Sequence, residues 1–323
     1  MAATGLTTTA RKAAVLYHYP CPDGAFAALA AHLYFSAASV PTLFFPNTVY
    51  NPVTPQTLPL HQITHLYLLD FVGPSGFVQD LSSKVGNLVI LDHHKTALET
   101  LGGEKNVTKI IDLQRSGATI AFDYFKERVA DNAAELAQFD RVRRLFEYIE
   151  DGDLWRWSLP NSKAFSSGLK DLNIEFDVGL NPSLFDQLLS LDLDSIISQG
   201  MKSLSEKQRL IDEALSQSYE IALGDGRFGH CLAVDAESIA ELRSELGHQL
   251  ATKSYNQNLR GIGAVAYGIP ELENDQLLKI SLRSLESEDT TIISEEFGGG
   301  GHRNASSFML SSEKFEKWKV SNA

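Results

Sequence analysis

Asn87-Leu88-Val89-Ile90-Leu91-Asp92-His93-His94 decides the reading of the whole chain. Its apolar run is too short for an ordinary helix, shows no polar alternation, and stops at a carboxylate followed by two imidazoles. Short unbroken apolar runs of this kind are strands covered on both faces, as central strands of a parallel sheet are. The same form recurs at Ala13-Ala14-Val15-Leu16-Tyr17, which leads into His18 and Asp23, and at His65-Leu66-Tyr67-Leu68-Leu69, which leads into Asp70. Open parallel sheets collect ligands outside the carboxyl ends of their strands. His18, Asp23, Asp70 and Asp92 are therefore expected to converge on one sheet edge of an α/β fold.

Outward from these strands, residues 24–35 read as an alanine-rich apolar helix, 117–125 and 131–149 as further helices, and Leu154-Trp155-Arg156-Trp157 as a Trp-rich turn. The character changes at Pro182. Asn181 is a good cap before a first-turn proline, and residues 194–219 form a long amphipathic polar helix with the look of a connector. Strand-like runs return after Gly224, at 230–234, 261–267 and 277–282, and the chain ends in a glycine-rich stretch through 297–308. The expected organisation is a parallel-sheet domain over 1–190, a connector helix over 191–222, and a smaller α/β C-terminal domain over 223–323.

Composition narrows the function. The chain has 323 residues, enough for two cores, and a formal net charge of -13, which repels long polyanions that need a basic track. No segment is long and apolar enough to span a bilayer, so no membrane partner is expected. Cys21 and Cys231 allow at most one bridge in a chain that does not need it, which favours a reducing, cytoplasmic compartment. Residues 1–14 lack acidic side chains but have no apolar signal core, so an organelle address is the weaker reading.

The chemistry begins at Asp92-His93-His94. At the end of a strand the backbone can turn so that Asp92 and His93 address one ion. An isolated His-His pair reads better as a solvated strand terminus; His18, Asp23, Asp70 and the pair Asp151 and Asp153 shift that balance toward a mixed nitrogen and oxygen ligand set. Such a set suits manganese, with magnesium or another divalent ion as alternatives. The second constellation is Phe297-Gly298-Gly299-Gly300-Gly301-His302-Arg303-Asn304-Ala305-Ser306. Successive glycine amides can cup an anion, His302, Arg303 and Asn304 add donors, and a helix starting at the small residues that follow would add its N-terminus.

Together, His18 to Gly24, Asp70, Asp92-His93-His94, the 151–155 segment and 298–306 resemble the DHH phosphoesterase superfamily with its associated C-terminal glycine-His domain, over nearly the whole chain and in the same order. The chain is most similar to the branch of nanoRNases and phosphodiesterases acting on short oligonucleotides or small nucleotides. The resemblance implies a metal-dependent phosphoric ester hydrolase with one or two ions, usually manganese, between the domains. It assigns His18, Asp23, Asp70, Asp92, His93 and Asp153 as metal ligands, with Asp151 behind Asp153, and Asp92, His93 and His94 as the catalytic group. His94 would contact phosphate or orient the ligands, and Gly299, Gly300, Gly301, His302, Arg303 and Asn304 would bind substrate. One departure is plain: the family pattern Asp-Gly-Asp is Asp23-Gly24-Ala25 here, which implies that one ion is held more weakly.

Three rivals stand beside this reading: an inorganic polyphosphate hydrolase, a non-catalytic nucleic-acid-binding scaffold of the same fold, and a hydrolase of aminoacyl-tRNA. The expected partner is a small nucleotide or short oligonucleotide, not a long nucleic acid; the sequence leaves the oligomeric state open, with a homodimer among the options. Other signals are set aside. Gly224-Asp225-Gly226-Arg227-Phe228-Gly229 reads as a turn because a strand, not a helix, follows. Cys21 reads as a small buried residue rather than a nucleophile, His32 as packing, Ser116 as a helix cap with Arg115 beside it, and Trp155 and Trp157 as core.

Overall fold

The computed structural model describes residues 12–320 apart from 49, 100–104, 130–132, 238, 270–273 and 275. The residues of the N-terminal address reading before Lys12, and the expected helix start at Asp131, lie outside the described residues. The chain divides into two compact units, 1–203 and 204–323.

The first unit contains β1 (Lys12–His18), α1 (Pro22–Ala37), β2 (Thr42–Asn47), β3 (Ile63–Leu69), α2 (Phe77–Ser82), β4 (Asn87–Asp92), α3 (Lys95–Glu99) and β5 (Val107–Ile111). It continues with α4 (Gly117–Lys126), α5 (Ala133–Asp153), α6 (Ser162–Asp171), α7 (Leu184–Leu189) and the first part of α8 (Leu193–Ser216). Its five strands are all parallel in the order β2-β1-β3-β4-β5. Ala13, Val15 and Tyr17 of β1 face one core with α1, α4 and α5, while Ala14 and Leu16 face a second core with α2. That two-sided burial is why the strands read as unbroken apolar runs. Helix α1 is apolar nearly all round for the same reason, since Ala25 through Ala31 are all buried. Strands β2 and β5, at the two sheet edges, escape the sequence reading because their partly exposed faces dilute the apolar signal.

The second unit contains the rest of α8, then β6 (Tyr219–Ala222), β7 (His230–Asp235), α9 (Arg243–Asn256), β8 (Ile262–Gly268), β9 (Leu277–Ser284), α10 (Thr291–Glu296), β10 (Gly300–His302), β11 (Ala305–Ser311) and α11 (Ser312–Trp318). Its sheet is mixed, in the order β10-β11-β9-β8-β7-β6, with β7 and β8 its one parallel pair. Helix α9 joins that pair, as a parallel crossover requires. Leu246 and Leu250 of α9 pack one sheet face, and Phe308, Phe315 and Trp318 pack the other.

Three expectations are corrected here. The connector helix ends at Ser216, and Tyr219 opens strand β6. No helix starts at Ala305; β11 starts there and pairs along β9 from Ala305↔Arg283 to Ser311↔Leu277, because alternation from Ser306 to Leu310 suits a sheet with one buried face. Trp155 is 78% exposed rather than core. No helix among the described residues is long and apolar enough to cross a membrane.

Candidate metal centre

In a sheet of this strand order the chain leaves β1 and β3 toward opposite edges, so their carboxyl ends flank an open crevice. His18 ends β1, Asp70 follows β3, and Asp92 ends β4, which brings three neighbouring strand termini together. Asp70 has a left-handed backbone, φ 64°, and its N–H donates to Leu91 O at 2.8 Å. Non-glycine residues in this region concentrate at functional turns. His18 Nδ1 lies 3.1 Å from Asp70 Oδ2.

His93 is the hub. Its Nε2 is 3.2 Å from Asp70 Oδ1, 3.6 Å from Asp153 Oδ2 and 3.7 Å from Asp23 Oδ2. Asp153 arrives on the last turn of α5, whereas Asp23 sits in the first turn of α1. Asp151 turns away: its carboxylate accepts from Ser158 N–H at 3.0 Å, Ser158 Oγ at 2.5 Å and Leu159 N–H at 3.2 Å, securing the turn after α5.

Asp23 is held by a helix the sequence reading did not connect with it. Its Oδ2 accepts from Gly117 N–H at 2.7 Å and its Oδ1 from Ala118 N–H at 2.9 Å, the free amides at the start of α4. Ser116 caps that helix by accepting from Thr119 N–H at 3.3 Å, while Arg115 is engaged by Asp123 at 2.8 Å and the Thr119 carbonyl at 2.8 Å. Glycine is needed at 117: a Cβ there would lie 2.7 Å from Asp70 Cβ and 3.0 Å from Asp23 Oδ2. The only sequence trace of this role was a small residue directly after a capping serine.

Asp92 plays a different part from Asp23 and Asp153. Its Oδ1 accepts from His93 N–H at 2.7 Å, His94 N–H at 3.2 Å and His94 Nδ1 at 2.8 Å, so it organises the turn that carries both histidines. Among the described residues, three groups place possible ligand atoms within 4.8 Å of one another: Asp23-His93-Asp153, Asp70-His93-His94, and His18-Cys21-Asp70. Asp92 belongs to none of them, and Cys21 joins one.

Electrostatics support a cation. Asp92 Oδ2 and Asp153 Oδ2 are buried without a hydrogen-bond partner and Asp70 Oδ1 meets only histidine nitrogens, His93 Nε2 at 3.2 Å and His94 Nδ1 at 3.8 Å, a costly state for carboxylate oxygens that an ion would relieve. Burial, then the Asp70 and Asp153 charges, push Asp23 well above the usual carboxylate range. Asp70 is driven up by burial, but His18 and His93 outweigh this and hold it low. Burial lowers His93, yet Asp70, Asp23 and Asp153 together raise it to about 9. Burial, with Asp70 and Asp23, pushes the Cys21 thiol up to about 12, which removes it as a free nucleophile.

Two cavities border the cluster. One of about 500 Å³ has Asp23 and Asp153 on its wall together with Tyr148, Phe165, Phe176 and Lys170. The other, of about 380 Å³, is lined by His18, Asp70, Asp92 and His94. Trp155, with φ 53°, stands exposed two residues beyond Asp153 and meets Trp157 edge to face at 5.5 Å.

The glycine segment, in the second unit, is more structural than its sequence suggests. Gly298 N–H donates to Glu295 O at 3.0 Å and Gly299 N–H to Ser294 O at 2.8 Å, the paired bonds that close a helix C-terminus. Gly300 and His302 then pair with Ser307 and Ala305 in a hairpin turning at Arg303-Asn304. Asn304 Nδ2 donates to Ser284 Oγ at 2.9 Å, Leu285 O at 2.8 Å and Glu288 O at 3.2 Å, and Arg303 Nε to Glu288 O at 3.3 Å. His302 is exposed, and a Cβ at Gly300 would meet nothing within 4 Å.

No family model matches the chain. It is 26% identical over 320 residues to an uncharacterized protein of Acanthamoeba polyphaga mimivirus, covering 94% of this chain and 69% of that one. Among solved structures it is similar to a pGpG-specific phosphodiesterase from Vibrio cholerae, with 13% identity, TM-score 0.44, and 95% and 96% of the two chains covered. An exopolyphosphatase-related protein from Bacteroides fragilis matches at 15% identity and TM-score 0.39, over 95% of this chain and 90% of that one.

Proposed function

We propose that the chain is a DHH-type, metal-dependent phosphohydrolase acting on short oligonucleotides or small nucleotides. The observation that carries this reading is the set of carboxylates Asp70, Asp92 and Asp153, with buried, unpartnered oxygens on Asp92 and Asp153, gathered with His18, His93 and His94 at the carboxyl edge of a parallel sheet. Asp23, His93 and Asp153 would hold one divalent ion and Asp70 with His18 or His94 another; when bound, such ions supply Lewis-acid and charge-neutralising power to phosphoryl transfer.

The chain's own groups divide the remaining work. Asp92 fixes the His94 ring through Nδ1, and its hydrogen bond raises His94 while partial burial opposes. His94, 45% exposed at its side chain, is thus a positioned proton donor toward a phosphate or leaving-group oxygen. The aromatic wall formed by Tyr148, Phe165 and Phe176 suits a nucleobase, with Lys170 as a cation for an adjoining phosphate. Inorganic polyphosphate would leave that wall unused, which favours a nucleotide. His302, Arg303 and the open backbone at Gly300 form the substrate-binding part of the second unit in this reading, and Gly299, Gly301 and Asn304 shape the hairpin.

A substrate panel with manganese, comparing dinucleotides, cyclic dinucleotides, 3'-phosphoadenosine phosphate, longer oligonucleotides and polyphosphate, tests the proposal. The expected result is fastest turnover of dinucleotides or smaller nucleotides, falling with length and changing little with salt, since the net charge is -13. Turnover of polyphosphate alone, or of none of these, overturns it.

A further inference from the structure

His18, Cys21 and Asp70 form one of the three groups of possible ligand atoms, and Cys21 alone among them has no part in the proposed function. We infer that Cys21 is a ligand: its thiolate joins His18 and Asp70, so this position selects a borderline ion such as zinc or cobalt over magnesium. The inference rests on the metal-dependent reading of the same edge.

The geometry points to it. The ligand atoms of His18, Cys21 and Asp70 lie within 4.8 Å of one another, a spread compatible with one ion bonded to each at about 2.0–2.3 Å. Asp70 is 1% exposed and its Oδ2 stands 3.1 Å from His18 Nδ1, so a buried carboxylate oxygen already faces this side of the cluster, while its Oδ1 faces His93 and His94. Capping is a weak explanation of the cysteine. Cys21 occupies the N-cap of α1 with its sulfur near the Asp23 and Gly24 N–H groups, but a thiol is a poor acceptor and Ser, Thr, Asp or Asn would serve better there. Nor is it fully buried packing, since it is only partly covered and stands on the wall of the larger cavity. On coordination the thiol proton leaves to solvent, because an adjacent divalent ion inverts the local preference for the neutral form. A nitrogen, sulfur and oxygen set suits zinc or cobalt, whereas magnesium prefers oxygen donors throughout.

The test uses the full chain, stripped of metal and titrated with cobalt under reducing conditions. The wild type is expected to develop ligand-field bands together with a sulfur-to-cobalt charge-transfer band in the near ultraviolet. Cys21→Ser and Cys21→Ala should lose the charge-transfer band and bind one cobalt equivalent more weakly by about tenfold or more. Cys231→Ser, altering the buried cysteine of the second unit, should keep both. Ligand-field bands without charge transfer in the wild type overturn the role of Cys21 while leaving the metal centre standing. Absence of any cobalt binding sinks both. If the Cys21 variants fail to fold, X-ray absorption of the zinc-loaded wild type decides, because a sulfur neighbour at about 2.3 Å is either seen or not.

Discussion

Asp23 accepts the backbone N–H of Gly117 at 2.7 Å, across 94 residues of sequence, so the first amide of α4 holds a carboxylate of the proposed metal cluster in place. This bond joins helix capping to site geometry. The end of α4 that needs acceptors receives the two Asp23 oxygens from α1, and the buried carboxyl group receives two donors that carry no net charge.

Gly117→Ala should therefore damage the site more than the fold. The added Cβ would press on Asp70 Cβ at 2.7 Å, with Asp23 and Asp70 oxygens close behind. A misplacement of about 1 Å in such a group costs about 100-fold in rate, and metal content by elemental analysis should fall with activity. Full metal occupancy at unchanged rate would show that the start of α4 does not set the site.

Metal affinity should rise with pH. His93 is raised to about 9 in the ion-free protein, chiefly by Asp70, Asp23 and Asp153 acting against burial, and a protonated imidazole cannot ligate. Affinity for the ion that His93 holds is expected to increase up to about pH 9 and then level off, with at least one proton released on its binding at neutral pH. For the ion-free fold the sign is opposite: stabilisation by protonated His93 is complete below its ordinary value of 6.5 and disappears as pH climbs through about 9. Calorimetry in buffers of different ionisation enthalpy counts the protons, and none released would contradict the assignment.

The two aspartates at the end of α5 should separate cleanly. Asp153→Asn is expected to lower ion affinity with melting temperature nearly unchanged. Asp151→Asn disturbs the acceptor of Ser158 and Leu159 and should cost about 1–3 kcal/mol of stability while metal is retained. Thermal unfolding and metal analysis on both variants read the difference directly.

In the second unit, Asn304→Ala should destabilise and His302→Ala should not. Asn304 serves Ser284, Leu285 and Glu288 at once, and losing these bonds should cost about 1–3 kcal/mol. His302 is exposed, so its removal should change KM for nucleotide with stability and metal content intact. A His302 variant with wild-type kinetics would remove this residue from the substrate site.

Trp155 offers an exposed aromatic face beside Asp153, at a backbone angle that few non-glycine residues adopt. Trp155→Ala should weaken binding of a base-containing substrate by about 1–3 kcal/mol, the usual range for base stacking, and leave hydrolysis of a base-free phosphoester unaffected. Equal effects on both would assign Trp155 a structural role.

Local sequence determined which strands are central, because burial on both faces writes itself as the unbroken apolar runs before His18, Asp70 and Asp92. It also determined that the carboxylates and histidines proposed as metal ligands gather at one sheet edge, since parallel strands present all their carboxyl ends together. The tertiary structure alone decided the partners of these groups. Nothing near Asp23 in sequence announces the α4 amides; nothing in Asp151-Gly152-Asp153 tells which carboxylate faces His93, because helical phase at the end of α5 sets that. Trp155 misled for the same reason, as did the helix expected after the glycine run. A side chain's exposure, and whether a glycine amide is free or spent on capping α10, depend on contacts made after the chain has folded, which residue type does not encode.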